Sequence, residues 1–198
     1  MATQLLTVKK RIQQAALQLF TERGTSDISI SELAQKAGVA RGTIYNNHVN
    51  PDSLFEDLAA ELGQIMNEEV ESRFDGHDPA LRVAKGIRLY VRKAYEEPSW
   101  GRFICRFGMN PKVLMMLWGG EHSPMTDINN GAYSGRFQLQ SSQFQMALAM
   151  TASSVLSAIL LTLEGHKTWQ VAGSETAELI LRSYGLSAEE AHQLAWMD

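Results

Sequence analysis

Five closely spaced side chains, Arg41, Thr43, Tyr45, Asn46 and Asn47, carry the clearest chemistry in the chain. Each can hydrogen-bond a phosphate oxygen or a base edge, and an arginine can grip both acceptors of a guanine at once. The outer face of a purely structural helix would more often carry Glu and Lys. Recognition is therefore implied rather than catalysis. His48, His77, His122, His166 and His192 lie far apart without metal-ligand spacing. The sequence has no glycine-rich phosphate loop, and no nucleophile motif surrounds Cys105 or any serine. An enzyme, a metal site and a cofactor are not expected.

The elements needed to present those side chains are legible just upstream. A first helix spans about Thr7 to Arg23, with Val8, Ile12, Ala15, Ala16, Leu19 and Phe20 as its apolar stripe and Gly24 as its stop. Ser29-x-x-Glu32 is a capping box that opens a short second helix, which Gly38 closes. A third helix covers about Arg41 to Asn47. Ala34, Gly38 and Ile44 have the spacing of a helix-turn-helix: Ala34 lets two helices cross, Gly38 takes positive φ cheaply, and Leu33, Val39 and Ile44 close the small core. Such a turn aims the opening residues of the third helix at a major groove.

Bulk composition fits a head-and-body arrangement. The 198 residues are 44% apolar and 20% charged, which excludes a disordered chain and allows one domain or two small ones. Net charge is −4, against a protein that coats nucleic acid with its whole surface. Residues 1–50 nevertheless carry six Lys/Arg and three acids, leaving −7 on the rest, which suits DNA contact by the head alone. The single cysteine rules out an internal disulfide and fits a reducing compartment. No apolar run follows a basic tip at Met1 to Lys10, so no signal peptide is expected, and the expected location is cytoplasmic, associated with the nucleoid.

The rest of the chain also reads as helical, with almost no strand alternation. Each of the five prolines follows a residue able to start a helix or turn, giving starts near Pro51, Pro79, Pro98, Pro111 and Pro124. The fourth helix begins at Asn50-Pro51 and carries Leu54, Phe55, Leu58, Leu62, Ile65, Met66 and Val70 on one side. FDGHDP from Phe74 is a turn and a domain boundary. The expected division is 1–50 for the three-helix head, 51–74 for a connecting helix and 75–198 for a larger helical domain. Gln143 to Leu163 runs 21 residues without a charge, long enough for a bilayer. Its Gln, Ser and Thr content and the lack of a basic flank or aromatic belt favour a helix buried on most sides, and no membrane contact is expected. Ala149, Ser153 and Ser157 recur every four positions and would let another helix approach closely. A further helix is expected at about 173–184, closed by Gly185 and Leu186, then a short one capped by Ser187-x-x-Glu190.

RIQQAALQLFTERG, SISELAQKAGVARGTIY and SLFEDL together resemble the N-terminal domain of tetracycline-repressor (TetR) type transcriptional regulators over about residues 8–60. GRF at 135–137 and LRSYGLSAEEA resemble the closing helices of that family. The resemblance implies an all-α protein: a helix-turn-helix DNA-binding domain followed by a helical ligand-binding and dimerisation domain. It implies a homodimer on a palindromic double-stranded operator, paired through the last two long helices (about 143–164 and 173–184), and a repressor released by a small molecule. The DNA-facing set it implies is Ser29, Ser31, Arg41, Gly42, Thr43, Tyr45, Asn46 and Asn47. Ser29 matches a helix-start hydroxyl near phosphate, Arg41 and Thr43 the opening of the recognition helix, and Tyr45 a backbone-contacting tyrosine. A pocket is implied in the region of Trp100, Phe103, Phe107, Met115, Trp118, Phe137, Met146 and Met150, suited to an apolar or aromatic effector. Arg102, Arg106 or Glu164 could orient its polar end. Cys105 is either a redox sensor or an inert buried thiol, with the second favoured.

Three positions depart from the family pattern. Asn46-Asn47-His48 stands where the family usually runs aromatic-His-Phe. Pro51 replaces a lysine that often grips phosphate, so the salt slope of DNA binding should fall by about one unit per head. Ala40 replaces a capping serine, at a cost of ~1 kcal/mol to the third helix. The alternative function is a ligand-independent DNA-binding protein of the same fold that acts through a protein partner.

Overall fold

The computed structural model describes residues 7–46 and 53–197. Eleven α-helices and one 3-10 turn account for the regular structure among the described residues. They are α1 Val8–Arg23, α2 Ile30–Ala37, α3 Arg41–Asn46, α4 Leu54–Phe74, α5 Pro79–Glu96, α6 Pro98–Phe107, α7 Pro111–Trp118, α8 Pro124–Tyr133, the 3-10 turn Ser141–Gln143, α9 Phe144–Leu163, α10 Trp169–Ser183 and α11 Ala188–Trp196. The chain divides into two compact units, residues 1–59 and 60–198, with the division inside α4.

In the first unit, α1 buries Ile12, Ala15, Ala16, Leu17, Leu19 and Phe20. Gly24 takes a left-handed conformation at its end (φ 69°) and donates its N–H to the Phe20 carbonyl. Phe55, at the start of α4, meets the Phe20 ring edge-on at 5.2 Å between centroids, and Leu54, Leu58 and Ala59 are buried. The opening turn of α4 therefore belongs to the core of the head.

The second unit is organised around α5. Helix α10 packs chiefly on α5 and also on α9 and α11, while α6, α8 and α9 each pack on α5 as well. Pro79, Pro98, Pro111 and Pro124 all open helices, where a missing N–H costs nothing. Asp78 and Asn110 cap two of these helices through their side-chain oxygens. Pro51 lies outside the described residues.

Helix α10 starts at Trp169, four residues before the expected 173, with Thr168 Oγ1 accepting from Val171 N at 3.3 Å. Gly173 lies inside the helix and is buried because α10 crosses α5 there: a Cβ would sit 3.3 Å from the Cα of Arg88. Gly185 takes φ 98° after α10, and the Leu186 N–H returns to the Leu181 carbonyl. The Tyr184 hydroxyl lies 2.6 Å from Thr151 Oγ1 of α9 and its ring packs at a tilt against Phe137.

By length and composition the span Ser141–Leu163 could cross a membrane. Half of its most apolar window is buried in the protein, where α9 packs on α5, α6, α8 and α10, as a core helix would.

Candidate nucleic-acid interface and ligand cavity

The head presents α3 through a chain of local constraints. The Ser29 hydroxyl accepts from Glu32 N at 3.2 Å, and the Glu32 carboxylate accepts from Ser29 N at 3.1 Å and from Ser29 Oγ at 2.8 Å. These bonds hold the Glu32 carboxyl below its usual range. Glu32 also pairs with Arg23 of α1. At the other end of α2, Gly38 sits at φ 64° and the Val39 N–H reaches back to the Ala34 carbonyl at 3.0 Å. A left-handed residue there lets the chain turn sharply without a Cβ clash.

Arg11 adds a tie that spacing alone did not suggest. Its Nη2 donates to the carbonyls of Ala37 at 2.7 Å and Gly38 at 2.8 Å, neutralising the C-terminal end of α2 and fastening the turn to α1. Leu33, Ala34 and Ile44 are buried beneath, while Val39 is half-buried.

With Ile44 pointing inward, Arg41, Gly42, Tyr45 and Asn46 are exposed, and Tyr45 shows 60% of its surface. Thr43 and Ser31 are half-buried, and Ser29 is exposed at the start of α2. A Cβ on Gly42 would meet no atom within 4 Å, so packing does not require the glycine. It leaves bare backbone on the outer face, where a phosphate could approach closely. Asn47 and His48 lie outside the described residues.

The second unit encloses an apolar cavity bounded by α4, α5, α7, α8 and α9. The space is narrow: about 30 Å³ is open to the centre of a water molecule. Of the aromatic and methionine residues expected at a pocket, Trp118 lines it. Trp100 and Phe103 are fully buried in the core, with Trp100 against Tyr90 and Phe103 against Phe107. Phe137 packs on Tyr184, and Met115, Met146 and Met150 are exposed. Arg102, Arg106 and Glu164 are also exposed and do not line the cavity.

The polar end of the cavity is formed instead by Arg82 and Asp127. Arg82 is 8% exposed; its Nε donates to Asp127 Oδ1 at 2.6 Å, its Nη1 to the Phe74 carbonyl at 2.9 Å and its Nη2 to Glu71 Oε2 at 2.8 Å. One buried guanidinium thus joins α5 and α8 to the last turn of α4. Burial pushes the Asp127 carboxyl above its usual range, partly opposed by Arg82. His122, at φ 55° in the loop before α8, faces Glu71 Oε1 at 3.0 Å. Cys105 is part-buried, its thiol pushed up to about 12 by burial, so it is a weak nucleophile at neutral pH.

A family model described as bacterial regulatory proteins, tetR family, matches residues 12–62. A second, described as tetracyclin repressor-like, C-terminal domain, matches residues 78–196. The HTH-type transcriptional regulator AcrR of Shigella flexneri is 33% identical over 87 residues, 42% of this chain and 39% of AcrR, so the match spans about two-fifths of that relative's length. Among solved structures, RolR in complex with resorcinol superposes with a TM-score of 0.65 at 26% identity, covering 96% of this chain and 94% of RolR. FadR of Bacillus halodurans shares the fold at 18% identity, with a TM-score of 0.71 over 90% of this chain and all of that one (100%).

Proposed function

The chain belongs to the tetR family of bacterial regulatory proteins, and from that premise we propose that it is a transcriptional repressor released from a palindromic operator by a small apolar or aromatic effector. The observation that carries the DNA-binding part is the surface of α3: Ile44 is wholly buried while Arg41, Tyr45 and Asn46 face outward on a helix held by Gly38 and Arg11. Arg41 makes the base contact, worth roughly 1–3 kcal/mol of discrimination. Ser29, Ser31, Gly42, Thr43, Tyr45, Asn46 and Asn47 complete the surface that meets phosphates and base edges. Work on chromosomal DNA places the protein in the cytoplasm.

The functional unit is a homodimer paired through α9 and α10. Met146, Met150, Leu160 and Leu161 on α9 and Leu179 on α10 are exposed apolar side chains. Ser153 and Ser157 lie between those of α9, and their hydroxyls donate to the carbonyls of Ala149 and Ser153 one turn earlier. They leave a low, polar-satisfied strip that a partner helix can approach closely.

The effector occupies the cavity and acts on α4 through Arg82, whose bonds end on that helix. The resorcinol complex of RolR, similar along nearly the whole chain, supports an aromatic effector. The narrowness of the cavity favours a second function, ligand-independent DNA binding through a protein partner. Operator binding decides between them. DNA from the gene's own upstream region should be bound by the wild type, and Arg41→Ala should flatten base preference at one operator position. A small aromatic that raises the melting temperature should also weaken operator binding. Uniform weakening across all sequences would remove Arg41 from the base contact, and no stabilising compound in a broad panel would leave the ligand-independent function.

A further inference from the structure

We infer that the free oxygen of the Asp127 carboxylate is the anchor for the effector, and that the effector is a small neutral molecule donating a hydroxyl hydrogen bond to it. This rests on the effector role proposed above. Asp127 lines the cavity and is 5% exposed. Its Oδ1 is taken by Arg82 Nε, while Oδ2 receives no hydrogen bond from the described residues. That carboxylate oxygen keeps spare acceptor capacity beside a wall that includes Val70, Ile87, Ile128 and Val155, where a donor entering the cavity can reach it.

Two other hydroxyls of the lining are already committed. Thr151 Oγ1 donates to the Ala147 carbonyl or shares a proton with Tyr184 Oη, and Tyr90 Oη donates to the Leu117 carbonyl at 3.2 Å. Charge narrows the class further. Arg82 already faces two carboxylates, Asp127 and Glu71, so an anion entering here would meet more negative than positive charge. An ammonium would lose its hydration in an apolar space where Asp127 is shared with Arg82. A neutral hydroxyl suffers neither cost. Asn67 and His122 line both this cavity and the open cleft beside α4, and so mark the way in.

A donor on Oδ2 draws on the carboxylate that holds Arg82 Nε, and Arg82 in turn holds the Phe74 carbonyl and Glu71. Occupancy of the anchor is therefore felt at the end of α4.

Four probes of similar size test the anchor on the full-length wild type by calorimetry: phenol, its methyl ether anisole, benzoate and benzylamine. Phenol should bind at least about tenfold tighter than anisole, the effect of one hydrogen bond to a charged acceptor. Benzoate should bind more weakly than either, and benzylamine no tighter than phenol. Asp127→Asn should shrink the preference for phenol over anisole. Because the unaltered protein yields that ratio, the test survives if the variant fails to fold. Anisole or benzoate binding as tightly as phenol would overturn the anchor and leave the effector role standing, and benzylamine binding tighter would overturn the neutral donor. No binding by any probe would overturn the anchor, while the effector role would still be decided by the broad panel.

Discussion

The guanidinium of Arg11 donates to the main-chain carbonyl of Gly38 across 2.8 Å, fastening the first helix to the turn that aims the third. The same nitrogen holds the carbonyl of Ala37, so one side chain caps the end of α2 and fixes its angle to α1. Arg11→Met keeps most of the apolar stem and removes both bonds. It should cost about 1 kcal/mol of stability and weaken binding to every DNA sequence alike, since it loosens the aim of α3 without touching a base. Gly38→Ala should cost more, because a left-handed alanine is strained by roughly 1–2 kcal/mol and its Cβ would stand 3.0 Å from Arg11 Nη2. Urea denaturation and fluorescence anisotropy on matched and scrambled DNA measure both effects. A sequence-selective loss in Arg11→Met would mean that Arg11 reads DNA directly.

Helices α4 and α7 touch where no side chain fits between them. A Cβ on Gly63 would lie 2.4 Å from the Met116 carbonyl oxygen and 2.9 Å from the Leu117 Cα, both backbone atoms that cannot swing aside. Alanine would gain about 1 kcal/mol of helix propensity but would force the helices apart, at a typical cost of 1–3 kcal/mol. Gly63→Ala should therefore destabilise the protein, although a solvent-exposed helical glycine so replaced would stabilise it. A thermal melt of the variant checks the sign, and a raised melting temperature would mean that α4 and α7 separate freely in solution.

What was legible in the sequence was local. Gly24, Gly38, the Ser29/Glu32 box and the helix-opening prolines act within one turn of themselves, so their types and spacing gave the helix ends directly. The start of α10 at Trp169, four residues before 173, was not legible because the role of Gly173 is set by the close approach of Arg88, which spacing does not show. The tie between Arg11 and Ala37 spans 26 residues and that between Arg82 and Asp127 spans 45, and neither leaves a periodic trace. On α9, apolar on nearly every side, composition could not separate the buried Leu148 and Val155 from the exposed Met146 and Met150. Trp118 lines the cavity and Trp100 does not, although both are buried and both pack on Tyr90.

The exposed apolar face of α9 and α10 leads to a prediction about assembly. Leu161 and Leu179 line a shallow groove together with Ser157 and Ala158. Both leucines are exposed in the single chain, so replacing them with glutamate should leave the fold intact. The double variant Leu161→Glu/Leu179→Glu should weaken self-association at least about a hundredfold, since each subunit loses two buried leucines and gains like charges at the joint. Sedimentation equilibrium measures it, with circular dichroism to show that helicity is kept. An unchanged dimer would place the interface elsewhere.

Arg136 grips Asp78 through two bonds, Nε to Oδ1 and Nη2 to Oδ2, each 2.9 Å, and reaches Glu190 at 2.6 Å, joining the start of α5 to α11. Burial pushes the Asp78 carboxyl up, but Arg136 and the Ala80 N–H outweigh it and hold the group below its usual range. A carboxyl lowered by folding adds stability that is complete above its unfolded value, about 3.9, and is lost as pH falls through the folded one. Asp78→Asn isolates this contribution, because asparagine can still cap α5 through the oxygen that accepts from Ala80 N. The variant should be less stable by roughly 1 kcal/mol at neutral pH, a magnitude tempered by the partial exposure of the pair. Its stability should also fall less steeply below about pH 4, so that the two proteins converge in acid. Urea midpoints at stepped pH trace both curves. Curves that stay parallel down to the acid limit would show that Arg136 draws its hold from Glu190 alone.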